Sequence, residues 1–139
     1  MHKHIFHLII ILFAITSQHS FAAGEEDKRS FSTTEVAPGI YAIMGVGGFT
    51  GGNIGLSIGE DGVVMIDDSM PPLLDRMKAA IKTITNKPVD FLINTHVHGD
   101  HTGNNKSIGQ DGTRIVAHEN LRLNMINKGR MTKEGKKEI

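Results

Sequence analysis

The segment Asn94-Thr-His96-Val-His98-Gly-Asp100-His101-Thr-Gly103 follows directly on the short apolar stretch that begins at Val89. A strand through 89–95 places the side chains of His96 and His98 on the same side, because extended residues two apart share a face. Two imidazoles converging in this way can share one metal ion. Gly99 then permits a sharp turn, and Asp100 and His101 begin a short helical turn that aims a second pair at a neighbouring point. Four ligand-type side chains in six residues, three of them imidazole, suit a borderline cation such as zinc, with iron and manganese as competitors. A single His at a strand-to-loop junction would read as polar surface; this spacing does not.

Composition removes most other chemistries. The 139 residues carry 15 Lys+Arg against 15 Asp+Glu, 8 His and no Cys. Balanced charge leaves no electrostatic footprint for nucleic acid and no polybasic membrane patch. Without Cys there is no disulfide framework, thiolate metal site or thiol nucleophile. Catalysis must come from His, carboxylates, hydroxyls or backbone. Hydrophobic residues at 39% and charged ones at 22% describe a globular chain.

Residues 1–22 read as a secretory signal: one charge at Lys3, an apolar run from Ile5 to Ile15, and a small-residue site ending at Ala22. The run is shorter than the roughly 20 residues a membrane-spanning helix needs. A periplasmic or secreted location without a stable membrane anchor is therefore expected. His2, His4, His7 and His19 fall in or beside this segment. Residues 23–35 are expected as a flexible lead-in.

Strands are predicted over 39–44, 53–58 and 63–66, with the Asp61-Gly62 pair turning a hairpin between the last two. Asp68 or Ser69 is positioned to cap a following helix, with Pro71 and Pro72 in its first turn. Leu73, Leu74, Met77, Ala80, Ile81 and Ile84 recur at helical spacing, which makes the segment amphipathic. A further strand is expected at 113–117 and a helix over 119–128, with Leu121, Met125 and Leu123 turned inward. Residues 129–139 read as a solvated polar end. An antiparallel meander followed by alternating strands and helices implies an α/β (α+β) layer architecture.

The H-x-H-x-D-H motif at a strand end resembles that of the metallo-β-lactamase-fold superfamily. The likeness runs from about Val36 to Lys128 and includes the glycine-rich hairpin, the buried strand ending in Asp67, and the amphipathic helix. It implies the N-terminal half of an αββα sandwich, with a domain over 36–128. By the resemblance, His96 and His98 are ligands of a first Zn²⁺, and Asp100 and His101 are ligands of a second. Asp67 is the carboxylate supporting the loop, and Asp100 also acts in catalysis. His101 argues against the lactamase subclass that carries Arg there, and Thr102-Gly-Asn104-Asn105 departs slightly from the family's Thr-Gly-Gly-Asn. The family chemistry is metal-assisted hydrolysis of an amide, ester, thioester or lactone. The metal lowers the pKa of water from 15.7 towards about 7, and the resulting hydroxide attacks the carbonyl. A small carbonyl compound is the expected partner, and no oligomeric state is implied.

Three further expectations complete the reading. Gly47, Gly48 and Phe49 lie in a glycine-rich stretch that lacks a P-loop's Lys and Ser/Thr; by the resemblance it is a mobile hairpin beside the site, with Phe49 available to substrate. His118 is expected as a strand-end polar residue and not a ligand. The family's third metal-binding His, its bridging Asp and its last His have no counterpart after His101. The chain is accordingly expected to be an incomplete hydrolase, the alternative being a non-catalytic, weakly metal-binding product that needs a partner for the other half.

Overall fold

The computed structural model describes residues 27–128, together with the backbone of 130–131 and 137–138. The expected signal at 1–22 lies outside the described residues. Among them, no helix is long and apolar enough to cross a membrane.

Six strands form one mixed sheet in sequence order: β1 (Ser30–Ala37), β2 (Ile40–Val46), β3 (Ile54–Ile58), β4 (Val63–Ile66), β5 (Phe91–Asn94) and β6 (Arg114–Ala117). The first four pair antiparallel, and β4, β5 and β6 run parallel. The change to parallel pairing requires crossovers. The first is a 3₁₀ turn (Pro71–Leu73) leading into α1 (Leu74–Ile84); the second is α2 (Asn105–Gln110). α3 (Glu119–Lys128) follows β6, and β7 (Arg130–Met131) pairs antiparallel with β8 (Lys137–Glu138).

The core lies between the sheet and α1. Ile43, Ile54, Leu56, Val63, Met65 and Leu92 project from the strands onto Met77, Ala80 and Ile81 of the helix, with Ile108 of α2 closing one end. Residues of opposite parity face the other way. Ile66, Ile93 and Val116 form one cross-strand row there, and Phe91 flanks it in the next; all four are more than a third exposed.

Four expectations are corrected. Residues 30–35 of the expected flexible lead-in belong to β1, whose backbone pairs with β2 from Ser30 to Ala37; a polar edge strand of this kind shows little hydrophobic alternation. Neither Asp68 nor Ser69 caps a helix: the 3₁₀ turn begins after Met70 without a side-chain cap, and Ser69 Oγ donates instead to the Thr50 carbonyl. Leu123 is exposed, while Leu121 is buried as expected. Part of the polar end at 129–139 pairs as β7 and β8.

Candidate metal centre

The motif begins where β5 stops, and its partner carboxylate lies where the neighbouring parallel strand β4 stops. Asp67 follows Ile66, and its N–H still bonds the Ile93 carbonyl at 2.9 Å, so the ends of β4 and β5 are locked side by side. Asp67 and Ser69 both have left-handed backbone, with φ of 61° and 62°. Non-glycine residues enter that region at a cost of about 1–3 kcal/mol each and persist only where neighbours enforce it. Here Ser69 Oγ bonds Thr50, and Asn104 Nδ2 donates to the Asp68 carbonyl at 2.6 Å. The result is a buried Asp67 carboxylate aimed across at the motif.

That carboxylate accepts three hydrogen bonds from the motif. Thr95 N–H donates to Oδ1 at 2.8 Å, Thr95 Oγ1 donates to Oδ2 at 2.7 Å, and His101 Nδ1 donates to Oδ2 at 2.8 Å. Since the Thr95 hydroxyl gives its proton to Asp67, it can only accept from His96 Nδ1, which stands 3.0 Å away. Both imidazoles are thereby anchored through Nδ1, one directly and one through Thr95. Their Nε2 atoms remain available, as in metal sites where a second carboxylate fixes the ligating tautomer.

The loop itself is a tight turn. His101 N–H and Thr102 N–H both donate to the His98 carbonyl, at 3.0 and 3.1 Å, and Asn94 Nδ2 donates to the His101 carbonyl at 3.1 Å. The His96 ring centroid lies 3.9 Å from that of His101 and 4.9 Å from that of His98. His101 Nε2 is 3.6 Å from Asp100 Oδ2. Ligand atoms of Asp67, His96 and His101 fall within 4.8 Å of one another, a cluster able to hold a metal ion. The motif turn thus keeps His96, His98, Asp100 and His101 close in space, while the group among the described residues whose ligand atoms converge to hold a metal contains Asp67 in place of His98 and Asp100. A set of imidazoles and carboxylates with anchored tautomers fits a divalent metal of the zinc class.

The glycine-rich stretch borders this centre. A Cβ at Gly51 (φ 86°) would stand 2.5 Å from the Asp100 carbonyl oxygen, so only glycine lets the stretch lie against the motif there. Gly103 is needed for space: a Cβ would come within 2.4 Å of the Gly99 carbonyl oxygen and 2.7 Å of Pro71. Gly47 and Gly48 are exposed, and Phe49 is 67% exposed. His118 is exposed at the end of β6, and its Nδ1 accepts from Asn120 N–H at the start of α3. Thr95, Asn94, Asn104 and Ser69 are structural members of the site that the ligand spacing did not single out. Thr95 carried the one available signal, as the hydroxyl residue immediately preceding the first motif His.

Comparisons with known proteins agree with this arrangement. Residues 47–137 match the family model of the metallo-β-lactamase superfamily. The structure resembles BJP-1, a subclass B3 metallo-β-lactamase of Bradyrhizobium japonicum, with a TM-score of 0.60 and 25% identity over 69% of this chain and 36% of that one. It also resembles a metallo-β-lactamase from Pontibacter korlensis (TM-score 0.58, 20% identity, 71% of this chain and 49% of that one). A third likeness is to FIM-1 from Pseudomonas aeruginosa in its mono-zinc form, with a TM-score of 0.58 and 18% identity over 71% of this chain and 47% of that one. No curated protein sequence matches. The chain therefore spans less than half the length of these solved relatives. With the mixed sheet, the strand-end motif and a family match across most of its length, the chain belongs to the metallo-β-lactamase superfamily.

Proposed function

We propose that this chain carries the metal-binding half-site of a zinc-dependent hydrolase acting on a small amide, ester, thioester or lactone. The observation that supports this reading most is the Asp67 hub, which anchors the Nδ1 atoms of both His96 and His101 and so leaves Nε2 as the ligating position of each, that of His101 beside Asp100. His96 and His98 would hold one metal, and Asp100 and His101 a second, with Asp67 beneath them. A bound divalent cation would supply Lewis acidity and an acidified water.

The chain's own groups then have distinct tasks. Asp67 holds His101 directly and His96 through Thr95. Asp100, beside His101 Nε2 and half-buried, is placed to orient a water molecule or accept its proton. Phe49 offers an exposed apolar surface on the stretch whose Gly51 and Gly52 border the centre. A periplasmic or secreted location belongs to the same proposal and is supported by the signal-like pattern of residues 1–22. β-Lactams are one candidate substrate class, as the names of the solved relatives suggest.

Elemental analysis of the purified chain, with assays on a chromogenic β-lactam, a thioester and a lactone, tests the reading. Bound zinc is expected, and His96→Ala with His101→Ala should abolish its binding. Full zinc stoichiometry in that double variant would overturn the site. Zinc binding without turnover of any substrate would instead favour the non-catalytic, metal-binding alternative.

A further inference from the structure

The glycine-rich stretch is fastened at its tip by a charge network outside the metal motif. Arg29 Nη1 donates to the Phe49 carbonyl at 3.2 Å and lies 3.6 Å from Met70 Sδ. The rest of the guanidinium grips Asp27: Nε to Oδ1 at 2.9 Å and Nη2 to Oδ2 at 2.8 Å, a two-pronged pair that fixes the plane of the group. Asp27 Oδ2 is also 3.2 Å from Arg76 Nη1 on α1, and the same Arg76 nitrogen donates to the Arg29 carbonyl. Side-chain and backbone hydrogen bonds from Arg29 hold the Asp27 carboxyl well below the usual carboxylate range, so the pair is ionised at neutral pH. The network thus runs from a core helix to the loop whose Gly51 lies against Asp100.

We propose that Arg29 is a positioning residue that latches the Phe49 loop beside the metal centre and so sets where the Phe49 ring meets a substrate. The consequence for substrate rests on the hydrolase reading above; the placement of the loop does not. Three features carry the assignment. The bond goes to a backbone carbonyl, so it fixes the main chain and leaves the Phe49 ring free to contact a ligand. Glycines flank the tip on both sides, at Gly47, Gly48, Gly51 and Gly52, and give the loop little stiffness of its own. The anchor itself is held on α1 through Arg76, so it does not move with the loop.

Two readouts on the full 139-residue chain test this, and neither needs metal or turnover. The chain has no Trp, so Phe49→Trp introduces a sole indole reporter at the tip. Adding Arg29→Ala should lower the indole's fluorescence anisotropy while far-UV circular dichroism stays unchanged. In the otherwise native chain, Arg29→Ala should speed chymotryptic cleavage at Phe49, relative to cleavage at Phe91, by about three- to tenfold, the change expected for losing one solvent-exposed hydrogen bond that limits local opening. Arg76→Ala, which leaves the bond to Phe49 in place, should have a smaller effect. Unchanged anisotropy and cleavage in folded Arg29→Ala would overturn the latch. Should Arg29→Ala lose its circular dichroism signal, Arg29→Lys takes its place: a lysine keeps the charge but cannot grip Asp27 and Phe49 together, and wild-type cleavage in that variant would equally overturn it. Absence of both hydrolysis and zinc binding in the unaltered chain, with faster cleavage in Arg29→Ala, would count against the hydrolase reading alone.

Discussion

At the scale of single residues, the centre is organised by a residue that stands outside the His motif. Asp67 is buried, has left-handed backbone, and accepts two hydrogen bonds from Thr95 and one from His101. Its charge matters because each of its neighbours is a donor. Asn in its place keeps the size but presents an NH₂ to at least one of those donors and removes the anion that favours protons on both Nδ1 atoms. Replacing such a support in metal sites weakens metal affinity by roughly 10–100-fold. Asp67→Asn is therefore expected to weaken zinc binding by that factor in a competitive chelator titration, with the three motif imidazoles still present. Equal affinity in variant and wild type would show that the Nδ1 anchors do not contribute.

At the scale of elements, β5 shows how one strand serves two environments. Leu92 is fully buried against the helix layer, whereas Ile93, one residue later and adjacent to the motif, is 38% exposed on the opposite face. Leu92→Ala should cost about 2–5 kcal/mol, because it removes core atoms and leaves a cavity. Ile93→Thr should cost less than that, since more than a third of its surface stays in water and no enclosed cavity is left. Denaturant midpoints of the two variants check the contrast, and similar losses would mean that the second face is packed in solution. The same parity explains what could be read from the sequence. β4 and β5 were legible as short apolar runs and α1 by its helical spacing, and the motif because all its ligands fall in one short segment. β1 was not, because Ser and Thr dominate an edge strand held by backbone pairing. α2 was not, because six residues containing Gly109 and a single buried Ile108 carry too little periodicity. The Asp67 contacts and the Arg29 latch span separations of about thirty and twenty residues, a kind of pairing that local pattern does not encode.

At the scale of the whole molecule, the centre sits at the carboxyl ends of the parallel strands, where open α/β sheets generally place ligands. It also joins two parts of the chain far apart in sequence, the end of β4 and the loop after β5. A ligand that binds this junction in the folded chain and not in the unfolded one must stabilise the fold by RT ln(1 + [L]/Kd), about 2.7 kcal/mol at a hundredfold excess over Kd. For a domain of this size that corresponds to a rise in melting temperature on the order of 10 °C. Added zinc should therefore raise the melting temperature of the chain, chelator should reverse the rise, and His96→Ala with His101→Ala should abolish it; the metal-free melting temperature of that variant should itself fall, since the buried Asp67 carboxylate loses its His101 Nδ1 donor. A zinc-induced rise that survives in the double variant would place the stabilising metal elsewhere on the molecule. No rise in the wild type would mean that the motif imidazoles, although held in place by Asp67 and Thr95, do not bind zinc in the folded chain.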